Sequence, residues 1–235
     1  MGQVIQKKTH LLNGPLQKKF QSSNAILFDM DGVITDTMPA HCQAWIRTLR
    51  EFFKIEVPEI EIYRREGEKS DKSVPEILAK YGALVLPGQL QEAIQAKADL
   101  FNKLAGKKVF YPGIASFLKK ISRYKTLALV TGTQKKEVER MLSGSFRHLF
   151  KVVITCNDVE HGKPDPEPYL KAQDLLQVSP QESLVIENAP LGIQSAKSAG
   201  IQVCALATSL PKEELTTADY LCRNHTELFA LRAES

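Results

Sequence analysis

Ala25-Ile-Leu-Phe-Asp-Met-Asp-Gly32 is the stretch from which the fold is read. Four apolar residues run unbroken into Asp29, and continuous rather than alternating hydrophobicity suits a parallel strand covered on both faces. The same kind of segment recurs downstream. Thr126–Val130 leads into Thr131-Gly132-Thr133, Ser183–Ile186 leads into Glu187-Asn188, and Val152–Thr155 and Ile201–Ala205 are further apolar runs. Helical spacing fills the intervals at 134–142, 166–177 and 190–199, the last closed by Gly200, as helix ends favour. Repeated strand–helix units predict an α/β fold with a Rossmann-like parallel sheet core covered by helices on both faces.

The rhythm breaks between residues 38 and 108. Trp45, Ile46, Leu49, Phe52 and Phe53 recur at helical spacing over 38–54 and read as core. Helix-like segments follow at 59–66, 71–81 and 88–104, punctuated by Gly82 and Pro87-Gly88, with no convincing strand. The expected organisation is therefore a catalytic core of 25–37 and 109–235, with a small α-helical cap domain over 38–108 inserted after the first strand. Residues 35–37 and 109–112 would be its hinges.

The 235 residues carry 31 basic and 27 acidic side chains, with 43% hydrophobic content. That composition suits a globular chain and argues against disorder or a coiled coil. No apolar run approaches the ~18 residues of a membrane span. The excess charge is local. Lys7, Lys8, Lys18 and Lys19 sit in residues 1–24 without an acid, leaving 27 bases and 27 acids elsewhere. The balance gives no support to a nucleic-acid face. Residues 1–24 read as a basic, loosely docked extension without the apolar block of a signal peptide. Cys42, Cys156, Cys204 and Cys222 form no CxxC pair and read as reduced thiols. The expected protein is cytoplasmic, and a monomer or weak dimer, with no nucleic-acid or membrane partner.

Polar residues follow the strands, where open parallel sheets bind ligands. Asp29 and Asp31 follow the first and Thr131-Gly132 the second, Gly162-Lys163-Pro164 comes after the third, and Glu187-Asn188 follows the fourth. Two carboxylates two residues apart repel unless a cation or proton intervenes. Oxygens of Asp29, Asn188 and the Asp31 backbone suit Mg²⁺. A phosphate beside the ion needs donors, which Thr131, backbone N–H groups such as that of Gly132, and Lys163 can supply. One Asp could attack phosphorus, and the other could protonate the leaving oxygen and then activate water.

These four motifs, in this order over roughly residues 25–230, resemble those of the haloacid dehalogenase-like superfamily. The resemblance implies that Asp29 is nucleophile and metal ligand, and that Asp31 is acid/base with its backbone oxygen on Mg²⁺. Thr131 and Lys163 would hold the phosphoryl group, and Glu187 and Asn188 the metal, directly or through water. Asn188 departs from the Asp of many relatives. The cap resembles that of the β-phosphoglucomutase branch, where His41 matches a His near the acid/base and Lys97 a cap Lys meeting the distal phosphate. At Gly67–Ser73 the match to the mutase breaks. Ser70, flanked by Lys69 and Lys72, stands where the mutase has a phosphate-gripping Arg. The implied function is a Mg²⁺-dependent phosphatase of a small phosphorylated metabolite such as a sugar phosphate. The alternatives are a phosphosugar mutase, a pyrophosphatase using Glu66 or Glu68 as an extra metal ligand, and a non-catalytic binding module.

Overall fold

The computed structural model describes residues 14–105, 110–142 and 146–232. Helix α1 (Pro15–Ser22) leads into β1 (Ala25–Phe28), followed by four helices: α2 (Met38–Phe53), α3 (Glu59–Arg64), α4 (Ser70–Lys80) and α5 (Gln89–Leu104). The chain then alternates through α6 (Ile114–Ile121), β2 (Thr126–Val130), α7 (Lys135–Leu142), β3 (Phe150–Ile154), α8 (Glu167–Leu176), β4 (Ser183–Glu187), α9 (Pro190–Ser198), β5 (Gln202–Leu206), β6 (Tyr220–Cys222) and α10 (His225–Phe229). The strands form one sheet of order β3-β2-β1-β4-β5-β6. Every neighbouring pair is parallel.

The strands alternate between two apolar layers. Ile26 and Phe28 join Leu127, Leu129, Leu184 and Ile186 on one face, under side chains of α1, α6, α7 and α10. Ala25 and Leu27 join Ala128, Val130 and Val185 on the other, under α8 and α9. This two-residue alternation, apolar on both sides, is why the strands read as continuous hydrophobic runs. The inserted helices bury a third cluster of their own, with Cys42, Leu49 and Phe53 of α2 against Ile62, Val74, Ile77 and Ala93. Phe53 is buried there, whereas Trp45 and Phe52 are only partly covered.

Several features depart from the sequence reading. The segment expected to be a loosely docked extension contains α1, whose Phe20 is fully buried in the first layer. Gln17 donates to the carbonyl of Arg232, and Lys19 to that of Gln181. Residues 1–13 lie outside the described residues. Helix α6, the three-residue edge strand β6 and α10 also escaped the reading, being short. Of the expected hinges, Thr35 forms an isolated bridge with Phe110, and Val109 lies outside the described residues.

Phe20→Ala should destabilise the protein by about 3–5 kcal/mol, because it empties a closed apolar site. Urea unfolding measures this. A loss below about 1 kcal/mol would mean that α1 does not contribute to the core.

Candidate active site

Strand register builds the site. Phe28 pairs with Leu129 of β2 and with Ile186 of β4. Asp29 and Glu187 directly follow these paired residues and Thr131 lies one residue further along, so all three emerge at the carboxyl ends of three adjacent central strands. All three are buried.

Lys163, on the loop before α8, joins them. Its Nζ donates to Asp29 Oδ1 at 2.5 Å, Glu187 Oε1 at 2.6 Å and the Val130 carbonyl at 3.2 Å. Burial works against its charge, but Asp29 and Glu187 outweigh that and hold its pKa well above the ordinary lysine value. Glu187 is fully engaged. Tyr169 adds a hydrogen bond to Oε1, and Oε2 accepts the backbone N–H groups of Asn188 and Ala189. A Cβ on Gly192 would lie 1.7 Å from Glu187 Oε1, so only glycine leaves room for the carboxylate there. The expectation that Glu187 binds metal thus meets a carboxylate whose oxygens already anchor Lys163 and the turn after β4.

Asp31 has different surroundings. Its Oδ1 accepts Thr35 at 3.1 Å and a short hydrogen bond from Thr37, and its Oδ2 accepts Thr133 at 2.8 Å. Burial pushes this carboxyl up, yet His41, Thr37 and Thr133 together hold it well below the usual carboxylate range. The two aspartates are thereby driven apart. Burial raises Asp29 well above 3.8, Lys163 only partly opposes this, and Glu187 and Asp31 add to it. The supporting hydroxyls were not singled out from sequence. Their signal is the run Thr35-Asp-Thr37 just beyond the aspartates.

His41 and Lys97, from α2 and α5, come together. Lys97 Nζ lies 2.7 Å from His41 Nδ1, and His41 Nε2 lies 3.7 Å from Asp31 Oδ1. Burial and then Lys97 lower the imidazole pKa, and burial lowers Lys97 to about 8. A neutral ring accepting from Lys97 at Nδ1 carries its proton on Nε2, facing Asp31. Phe101 stacks on the ring with centroids 3.8 Å apart. Lys97 also lies over the rings of Trp45 and Phe101.

The segment between α3 and α4 reaches into the core. Asn188 Nδ2 donates to Glu66 Oε2 at 2.8 Å and to Ser209 Oγ at 3.2 Å. A carboxylate at position 188 could not donate either bond. Gly132 meets Gly67 so closely that a Cβ would lie 2.7 Å from the Gly67 carbonyl oxygen. Lys69 Nζ donates to the carbonyls of Val159 and Glu160, and Lys72 pairs loosely with Glu68, so neither lysine lines the cavity beside Ser70. That cavity, about 170 Å³, runs from Asp29, Asp31 and Thr131 to His41, Lys97 and Trp45.

Among the described residues, four buried side-chain oxygens lack a hydrogen-bond partner, and three of them belong to Asp29 (Oδ2), Glu66 (Oε1) and Asn188 (Oδ1). Unsatisfied buried acceptors are costly. Here Asn188 is bonded to Glu66, and the Glu66 carboxyl is raised first by burial and then by the charge of Asp29. Two carboxylates and an amide oxygen suit a hard divalent cation such as Mg²⁺. Among the described residues, no three His, Cys, Asp or Glu side chains form a metal-binding group. The donor set therefore depends on the amide and on backbone oxygen.

A family model described as haloacid dehalogenase-like hydrolase matches residues 26–206. The chain belongs to this family. A phosphorylated carbohydrates phosphatase from Thermotoga maritima is 33% identical, over 76% of this chain and 82% of its own. A beta-phosphoglucomutase from Bacillus subtilis is 27% identical, over 87% and 91%. The structure of CbbY from Rhodobacter sphaeroides in complex with xylulose-(1,5)bisphosphate is similar at 25% identity, with a TM-score of 0.74 over 89% of this chain and 99% of that one. This haloacid dehalogenase-like hydrolase thus has phosphatases and a phosphosugar mutase among its relatives.

The raised carboxyls of the hydrolase set a pH dependence. Asp29 and Glu66 bind protons more tightly when folded than at their ordinary values of 3.8 and 4.5. Their contribution to stability therefore falls as pH rises above those values. Protons would compete with a divalent cation for these oxygens. The rise in Tm on adding MgCl₂ should be larger at pH 7.5 than at pH 5.5. Thermal unfolding at both pH values checks this, and a pH-independent rise would contradict it.

Proposed function

We propose that this hydrolase is a Mg²⁺-dependent phosphatase of a small phosphorylated carbohydrate, acting through an aspartyl phosphate on Asp29. The observation that carries this reading is the state of Asp29. One oxygen is fixed by Lys163, while the other is buried, unpartnered and beside the cavity.

An Asp29 oxygen attacks phosphorus, the bond to the leaving oxygen breaks, and Asp31 gives that oxygen a proton. Water then attacks the phosphoenzyme, Asp31 takes its proton, and the Asp29 carboxylate returns with release of phosphate. Without substrate Asp31 is held ionised, the form that accepts a proton. An incoming phosphate adds negative charge beside it and raises its affinity for the proton that it must donate. Thr131 and Lys163 bind the transferring oxygens. Asp29, Asn188 and the Asp31 carbonyl would hold Mg²⁺, which when bound would neutralise phosphoryl charge.

A second reading, hydrolysis of inorganic pyrophosphate, is favoured by one observation. Glu66 comes from the helical insertion, is buried, and keeps a free oxygen beside Asn188. Such a group could add a ligand to the metal of a more highly charged substrate.

Phosphate release with Mg²⁺ from sugar monophosphates and from pyrophosphate separates the two readings. The expected result is a higher kcat/KM on a sugar monophosphate, and a preference for pyrophosphate would replace the first reading with the second. Conversion of β-glucose 1-phosphate to glucose 6-phosphate without free phosphate, given a trace of the 1,6-bisphosphate, would show a mutase instead. Asp29→Asn should lower turnover by at least about 10³-fold while the protein stays folded by circular dichroism. Near-normal turnover in that variant would overturn the nucleophile assignment.

A further inference from the structure

The cavity wall carries a further carboxylate besides those of Asp29, Asp31 and Glu66. Glu68, in the turn before α4, lines the cavity with a side chain only 4% exposed. Arg65 donates to its Oε2 at 3.0 Å, but that guanidinium also holds Glu76 at 2.6 Å. Lys72 lies 3.6 Å from the other oxygen and is itself largely exposed. The neighbouring lining groups on α4 are the hydroxyls of Ser70 and Ser73. Lys97, the other basic side chain along this wall, is tied to His41 beside Asp31.

We propose that Glu68 is a specificity determinant, selecting a phosphate ester whose leaving group is uncharged and hydroxyl-bearing and rejecting substrates with a second phosphate. The proposal rests on the phosphatase reading and adds the class of leaving group. A phosphoryl group at Asp29 directs the remainder of the substrate up the cavity toward Glu68, Ser70 and Ser73. A sugar hydroxyl there can donate to the carboxylate and exchange hydrogen bonds with the serines. A second phosphate would instead meet a buried carboxylate whose basic partners are already shared, and like-charge juxtaposition is a strong means of rejection. The start of α4 does not reverse this: Glu68 lies two residues before it and Asp71 within its first turn, while the N-cap residue Lys69 directs its ammonium to the carbonyls of Val159 and Glu160 and does not line the cavity.

Titration calorimetry of the full-length Asp29→Asn protein with Mg²⁺ tests the proposal, using fructose 1-phosphate and fructose 1,6-bisphosphate as probes. The monophosphate should bind at least about 10-fold more tightly than the bisphosphate. Adding Glu68→Gln removes charge but keeps an acceptor, and should narrow the ratio mainly by tightening the bisphosphate. Glu68→Arg should narrow it further or invert it. Bisphosphate binding as tight as monophosphate binding with Glu68 in place would overturn the proposal, as would a ratio that neither substitution moves or no binding of either probe. These ratios are read without turnover. Failure of the phosphatase reading is seen separately, as absence of phosphate release from the unaltered enzyme.

Discussion

A single ammonium group holds the centre of this molecule together. Lys163 Nζ sits between Asp29 and Glu187 on two neighbouring strands, with all three side chains buried. Removing one member of such a group typically costs about 3–5 kcal/mol, because a charge is stranded without water. The contact also orders the chemistry. It fixes one oxygen of Asp29, leaves the other free, and keeps Glu187 at the turn that carries Asn188. Gly192 and Tyr169 serve this contact by making room for Glu187 and by completing its hydrogen bonds.

The inserted helices are fastened to this centre by polar contacts and by Ile60 and Tyr63 of α3, which pack against the second apolar layer of the core. Their hydrophobic cluster is largely their own. The polar links across include Glu66 to Asn188, Lys69 to the carbonyls of Val159 and Glu160, Arg140 to Asn102, and the paired bonds of Arg64 to Glu214. The exposed Arg64 pair adds little stability by itself. Contacts of this kind suit a lid that encloses a substrate and releases a product, since polar bonds exchange with water more readily than a packed core separates.

Much of the architecture is legible from the amino acids. Ala25–Phe28 and its counterparts are apolar throughout because both faces of the sheet are covered, and that pattern needs no knowledge of distant neighbours. The helices of the insertion show the same local legibility in Trp45, Leu49 and Phe53. The short elements do not: β6 exists because β5 offers an edge, and α1 docks because a slot for Phe20 lies beside β1. Neither condition is written within a few residues of the element itself.

The same division runs through the site. Asp29, Asp31, Thr131, Lys163, Glu187 and Asn188 can be picked out in order because each lies at or near the end of a recognisable strand. Their identities and sequence were determined by the chain alone. What each one does there depends on partners far away in sequence. Glu187 reads as a metal ligand from sequence, and only the fold shows that Lys163, Tyr169 and two backbone N–H groups also bond its oxygens. Glu66 and Glu68, two residues apart, point to different tasks, because one meets Asn188 and the other faces the cavity beside Arg65. The physical reason is that hydrogen-bonding capacity and charge compensation are properties of a place in space, and only the folded chain decides which groups share it.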